Sequence, residues 1–254
     1  MKLLRSFGVA LGVSGVVGAT MLASAPLEKP DAGSQQADVR VVAAIPPPKP
    51  GDFKSVLRVE GMTKIAKLGQ AMSIGRGMFK ALITPVPDAP SPLIGEMLMP
   101  PAPGYFVVFR FMPVTNNTSF VQVGDAIGTI DIEDFAAAET KVKVKLNLVI
   151  SEVKQNGVPL DVGANCRTVT PVDLNLSGTV NLGLPKVTPD GPVVDKDHLA
   201  ATINTSYAIP AFTGCGVTEN LSPLMTGLVS GPGNDLIIKL YNICFGTKQC
   251  DPYW

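Results

Sequence analysis

The chain holds one histidine, His198, and one tryptophan, Trp254, in 254 residues. A serine triad would have to use His198 as its base, and no G-x-S-x-G elbow accompanies it. His198 follows Asp195-Lys196-Asp197 and reads as a polar residue entering a strand. The same scarcity argues against zinc, which wants several histidines or C-x-x-C spacing. Excess charge is missing too. Twenty-one basic residues balance 21 acidic ones, whereas a nucleic-acid-binding chain would want a basic surplus. After Leu22 no uninterrupted apolar run reaches the roughly 20 residues of a membrane span.

No cofactor motif is present. Ser230-Gly231-Pro232-Gly233-Asn234 lacks the GK[ST] ending of a phosphate loop, and its proline interrupts the backbone donors. The acidic groups Asp125, Asp131, Glu133, Asp134 and Asp190, Asp195, Asp197 do not follow the EF-hand pattern. They read as turn and loop residues. No carboxylate pair stands out as glycosidase-like. The expectation is a protein that is not an enzyme, with no catalytic, cofactor-binding or metal-binding residues.

What the chain does have begins at its amino terminus. Lys2 and Arg5 precede an apolar run from Phe7 to Leu22, and Ala23-Ser24-Ala25 offers small residues for cleavage. Residues 1–25 therefore read as a signal peptide, although Pro26 sits awkwardly after the cut. A retained anchor is the competing reading, and the run is short for it. Four cysteines follow, all late: Cys166, Cys215, Cys244 and Cys250. An even count in an exported chain predicts a disulfide framework. Of the three possible pairings, Cys166–Cys215 and Cys244–Cys250 are favoured, the second pair bracketing a short loop turned by Gly246. On the chain-entropy model the longer loop contributes roughly 4 kcal/mol and the shorter roughly 2 kcal/mol.

The sequence divides into four stretches. Residues 1–25 are the signal, and residues 26–51 form a polar, then proline-rich tether containing Ile45-Pro46-Pro47-Pro48-Lys49-Pro50. Residues 52–103 are proline-rich, and Ile65, Leu68, Ala71 and Met72 at helical spacing predict a partly helical segment. Residues 104–254 form a β-rich domain. There Tyr105 to Phe111 reads as a strand, and Val142, Val144, Leu146 and Leu148 alternate with Lys141, Lys143, Lys145 and Asn147. Asn156-Gly157 predicts a hairpin turn, and Leu221, Leu224, Met225 and Leu228 mark one helix face. The fold class expected is mainly β: an antiparallel β-sandwich with one or two short helices and an irregular proline-rich N-terminal segment.

The block from Tyr105 onward resembles secreted, disulfide-bonded actinobacterial proteins of unknown function. The residues that carry this are Cys166-Arg167-Thr168, Leu174-Asn175-Leu176-Ser177-Gly178, Ile209-Pro210-Ala211-Phe212-Thr213-Gly214-Cys215-Gly216 and Leu228-Val229-Ser230-Gly231-Pro232-Gly233-Asn234. The resemblance implies the exterior or envelope of a Gram-positive cell. It implies no activity.

The function expected is an exported cell-envelope or extracellular protein acting by binding or structure. Its partner would be an envelope polymer, a lipid or a protein, with no nucleic acid; the oligomeric state stays open. Lys141, Lys143, Lys145 and Lys154 offer an anionic-surface contact. The bland alternative is that lysines guard an exposed strand edge. Two other function classes stand beside this one: a subunit of an oligomeric envelope channel, and a carboxylate-dependent hydrolase.

Overall fold

The computed structural model describes residues 45–183, 186–189 and 191–254. The expected signal peptide and most of the tether lie outside the described residues. The first strands are β1 (Phe53–Ile65), β2 (Gln70–Ile83), β3 (Ser91–Leu98), β4 (Ala102–Val108), β5 (Met112–Gln122) and β6 (Ala126–Ile130). Then come β7 (Ala138–Gln155), β8 (Val158–Pro159), β9 (Arg167–Thr168), β10 (Val172–Val180), β11 (Lys186–Thr188) and β12 (Gly191–Val193). β13 (Leu199–Ile209), β14 (Phe212–Thr213), α1 (Ser222–Val229), β15 (Gly231–Phe245) and α2 (Thr247–Cys250) complete the chain, with a short turn of 3-10 helix at Asp251–Tyr253.

All but β11 and β12 join one antiparallel sheet. Its order runs β13-β15-β1-β2-β3-β6-β7, and β10 pairs the free edge of the first half of β7. The sheet then curls on itself. The Asn181 amide donates to the Ala200 carbonyl at 2.7 Å, and Thr205 Oγ1 donates to the Asn175 carbonyl at 3.1 Å, so β10 comes to lie beside β13. The expected mainly β, antiparallel class is what the structure has. In place of two separate packed sheets it has one sheet rolled around its apolar face.

Segment 52–103 corrects the reading from sequence. It is not partly helical: it forms β1, β2 and β3, and β1 lies between β15 and β2 in the wall. It is therefore continuous with the C-terminal block. The physical reason lies in the turn at 66–69. Ile65 ends β1, Leu68 sits in the turn, and Met72 opens β2, so a hairpin brings the same apolar residues to one place. Gly69 holds φ +65° and its amide donates to the Ile65 carbonyl, closing the turn where a helix would have continued.

β7 shows why the alternation was legible. Val142, Val144, Leu146, Leu148 and Ile150 are buried, while Lys141, Lys143 and Lys145 are exposed. At Glu152 the backbone takes φ +51°, and Val153 rather than the next even position turns inward. This bulge resets the parity and puts Lys154 on the outer face.

The two ends of the rolled sheet differ. At one end Phe245 is fully buried and packs against Phe53, tilted, and Phe135, edge-on, both with ring centroids at 5.6 Å. Gln249 Oε1 accepts from the Val194 and Phe245 amides, and its Nε2 donates to the Val194 carbonyl. The C-terminal segment folds over β1, where Lys54 Nζ meets Asp251 at 2.6 Å and Trp254 covers the ammonium. This end is closed. At the other end stand the β1–β2 turn, the tip of the β4–β5 hairpin, the β7–β8 turn and α1.

Both expected disulfides are present, Cys166–Cys215 and Cys244–Cys250. The first ties the strand-end beside β7 to the segment leading into α1: the Ile150 amide donates to the Cys166 carbonyl, and the Cys215 amide donates to Ser222 Oγ. Gly216 follows with φ +95°, and a Cβ there would stand 1.9 Å from the Glu219 carbonyl oxygen, so only glycine fits the turn. Replacing Cys166 and Cys215 by serine should cost about 4 kcal/mol, and the Cys244/Cys250 pair about 2 kcal/mol. Urea unfolding of the two double variants against the parent checks both the magnitudes and their order.

Candidate functional site

Inside the rolled sheet is a cavity of about 130 Å³. Below it, towards the closed end, lies a second void of about 50 Å³. Val59, Met97 and Ile238 border both, so the two are arranged in tandem along the interior. The upper cavity compares with the roughly 150 Å³ apolar cavities that stay dry and accept a benzene-sized guest. The deeper void is walled by buried side chains such as Phe79, Leu93, Val142 and Leu176. The upper one is bordered also by half-buried residues: Leu68, Ile74, Val114, Met225 and Leu228. These mark the side on which it meets solvent.

The lining is built by alternation. β7 contributes Leu146, Leu148, Ile150 and, after its bulge, Val153. β4 contributes Phe106 and Val108, and β10 contributes Val172 and Leu174. α1 lies across the opening with Met225, Leu228 and Val229 at the cavity; of the face expected from its periodicity, Met225 and Leu228 line it and Leu221 and Leu224 do not. Leu224 on the same helix is 44% exposed.

The few polar groups at the lining serve one another. Thr63 Oγ1 donates to the Asp235 carbonyl at 2.9 Å and lies 2.7 Å from Tyr207 Oη. The threonine hydroxyl has one proton and the carbonyl can only accept, so the tyrosine donates to Thr63. Asn116 Nδ2 donates to Thr118 Oγ1 at 2.9 Å. Glu60 borders the cavity, and its carboxylate pairs with Arg58 and Arg76, each at 3.0 Å. Among the described residues no buried side-chain nitrogen or oxygen lacks a partner. A guest entering here finds a wall that is mostly hydrocarbon.

The residues singled out from sequence stand elsewhere. Lys141, Lys143, Lys145 and Lys154 all lie exposed on the outer face of β7. Their strand is hydrogen-bonded on both sides over 140–143, to β6 and β10, so they do not guard an open edge. Lys145 approaches Asp173 at 4.0 Å. Lys154 is nine residues further along, about 30 Å at strand rise, and adjoins the β7–β8 turn, where it pairs with Pro159. His198 is exposed at the entry to β13, where its carbonyl accepts from the Asn242 amide. Asp131 and Asp134 accept from the Glu133 and Ala136 amides and cap turns. Asp195 faces Lys186 at 3.9 Å, and Asp197 pairs with Arg58. Asp190 lies outside the described residues. No group of three or more His, Cys, Asp or Glu side chains is arranged to hold a metal ion among the described residues.

Sequence reasoning missed the cavity, and it missed the β4–β5 tip beside it. Tyr105 to Phe111 is not one strand. The chain turns at Phe109 and Arg110, with φ +53° and +69°, and the Phe111 amide donates to the Val108 carbonyl. Two consecutive left-handed residues make the tight hairpin turn that Asn-Gly favours. The β7–β8 turn uses Asn156-Gly157 in the same way, with φ +50° and +82°. At the β4–β5 tip an aromatic and an arginine occupy those positions instead. Val108 beside them lines the cavity. Gln70 fixes this hairpin against the β1–β2 turn, accepting from the Val107 amide at 2.8 Å and donating to its carbonyl at 2.9 Å.

Comparison with known proteins gives no match to a family model, to a curated protein or to a solved structure.

Burial raises the Tyr207 phenol above its ordinary range; the Thr63 hydroxyl, which can turn to serve a tyrosinate, works the other way. The unfolded chain ionises this group near pH 10, while the folded chain holds it neutral. Its contribution to stability is therefore constant below about pH 10 and is lost as pH rises from there through the folded value. Tyrosinate absorbance should show a late-titrating step, and Tyr207→Phe should remove that step and flatten the alkaline loss of stability.

Proposed function

We propose that the chain is an exported protein that acts by binding, and that it holds an apolar molecule inside its rolled sheet. The observation that carries this reading is the cavity, walled by hydrocarbon and containing polar groups already satisfied by one another. Burying a polar ligand there would strand its donors and acceptors, at a cost of a few kcal/mol for each. An apolar ligand loses only its contact with water. Each methylene so buried contributes about 0.8 kcal/mol. The two disulfides are consistent with an oxidising compartment, which supports export to the envelope or beyond.

The channel reading draws less support. A strand of a membrane barrel turns its apolar residues to lipid and its polar residues to the lumen. β7 does the reverse, with lysines outside and valine, leucine and isoleucine within. For a hydrolase, a carboxylate pair would have to face a bound substrate. The carboxylate nearest the cavity, Glu60, is engaged by two arginines.

The test is uptake of a fluorescent fatty acid by the purified protein, read as enhanced emission in water. The parent should saturate at one probe per chain. Leu228→Trp puts a larger side chain on α1 at the cavity opening and should weaken binding at least tenfold with unfolding unchanged. No enhancement with the parent, or equal binding by the variant, defeats the reading.

A further inference from the structure

We infer that the β4–β5 tip is a membrane-contact element, and that the cavity takes the terminal segment of an acyl chain of a lipid drawn from a bilayer with anionic headgroups. This deepens the binding reading given above and rests on it.

The tip exposes apolar surface where a soluble turn has no use for it. Phe109 is 61% exposed, Phe111 78% and Tyr105 61%. Phe109 also occupies a left-handed turn position that glycine or asparagine fills at lower steric cost. Such an outlier points towards function when its side chain makes no use of the fold. Here the side chain is in solvent, so packing does not explain it.

Cations accompany the aromatics. Arg110 lies between Phe109 and Phe111 and is exposed. In the sheet register Tyr105 stands opposite Thr115, and Thr115 opposite Lys154, so Lys154 shares the outer row with Tyr105. Beyond the β7–β8 turn Val158 is 66% exposed. The acidic side chain in this register is Glu152, which accepts from Asn117 Nδ2 at 2.8 Å. Aromatic rings that enter the headgroup region, flanked by Arg and Lys that reach phosphate, are the chemistry of an interfacial anchor. The charge sign selects anionic headgroups.

The tip stands at the cavity opening. Val108 lines the cavity and Phe109 is its neighbour in the chain. The two voids share Val59, Met97 and Ile238 in their linings and so lie in line along the interior, an arrangement that suits a linear guest better than a broad one. A tip seated in headgroups would present this opening to acyl chains and spare them a passage through water.

The experiment uses the full chain and two variants. Phe111→Trp adds a reporter to Trp254, and its signal is the difference from the parent. On vesicles of phosphatidylcholine and phosphatidylglycerol its emission should shift to the blue and be quenched by brominated acyl chains, with a weaker effect on phosphatidylcholine alone. Phe109→Ser/Phe111→Ser removes two exposed side chains, which leaves the fold intact. It should slow transfer of a fluorescent-acyl phosphatidylglycerol from vesicles to protein at least tenfold, while uptake of a fluorescent fatty acid from water stays as in the parent. Unmoved Phe111→Trp emission overturns the inference, as does equal transfer by the double variant. Self-association in sedimentation that the double variant abolishes, with no vesicle signal, also overturns it and makes the tip a contact between copies. Failure of fatty-acid uptake by parent and double variant alike, with the Phe111→Trp signal present, instead defeats the binding reading and leaves the membrane contact standing.

Discussion

Along its 18 residues β7 hydrogen-bonds β6 and β10 with its first half, then β5 and β8 with its second, and touches β9 between them. Every other register of the large sheet is fixed against this strand directly or through strands that are. A slip by one residue would turn its lysines inward and its valines and leucines to water. That would also move Val153, Ile150 and Leu148 off the cavity wall. The bulge at Glu152 belongs to the same constraint: it lets one strand serve two stretches of wall while keeping its apolar residues inside both.

The interior that β7 organises is dry by arrangement. Buried polar residues are few, and most satisfy backbone groups of the sheet. Gln122 accepts from the Met97 amide and donates to the Gly95 carbonyl, standing in for a strand neighbour. Asn234 serves Ala66, Tyr207 and Gly231, and so joins the β1–β2 turn to β13 and β15. Asn242 does the same at the closed end, with the Asn181 carbonyl. These amides sit where the rolled sheet needs pinning, so the cavity between them is left to hydrocarbon. The Cys166–Cys215 bridge acts on the same region from outside, holding the segment that lays α1 across the opening.

Local signals were readable and composite ones were not. The alternation at 141–150 needs only neighbours in sequence, and the strand followed it. Asn156-Gly157 names its own turn, Leu221 to Leu228 names its own helix, and the cysteine spacing named its pairs. Residues 52–83 misled because Ile65, Leu68 and Met72 do converge, through a hairpin whose turn residues resemble a helical repeat. Phe109-Arg110 gave no turn signal, since neither residue is one that such a turn prefers. The cavity was illegible for a different reason. It is the space that side chains from separate strands and one helix leave unfilled, and no single segment carries a record of it. Lys154 joins the tip only because a bulge two residues earlier changes its face.

β1 runs from one end of the wall to the other. Thirteen residues at about 3.3 Å each span about 40 Å. Its first residue, Phe53, is packed beside Phe245 at the closed end, and the exposed Pro46 to Gly51 stretch leaves from there. Whatever is fixed to the chain ahead of Phe53 thus pulls on the molecule at the pole away from the opening. The opening lies at the far end of β1, about 40 Å from that point.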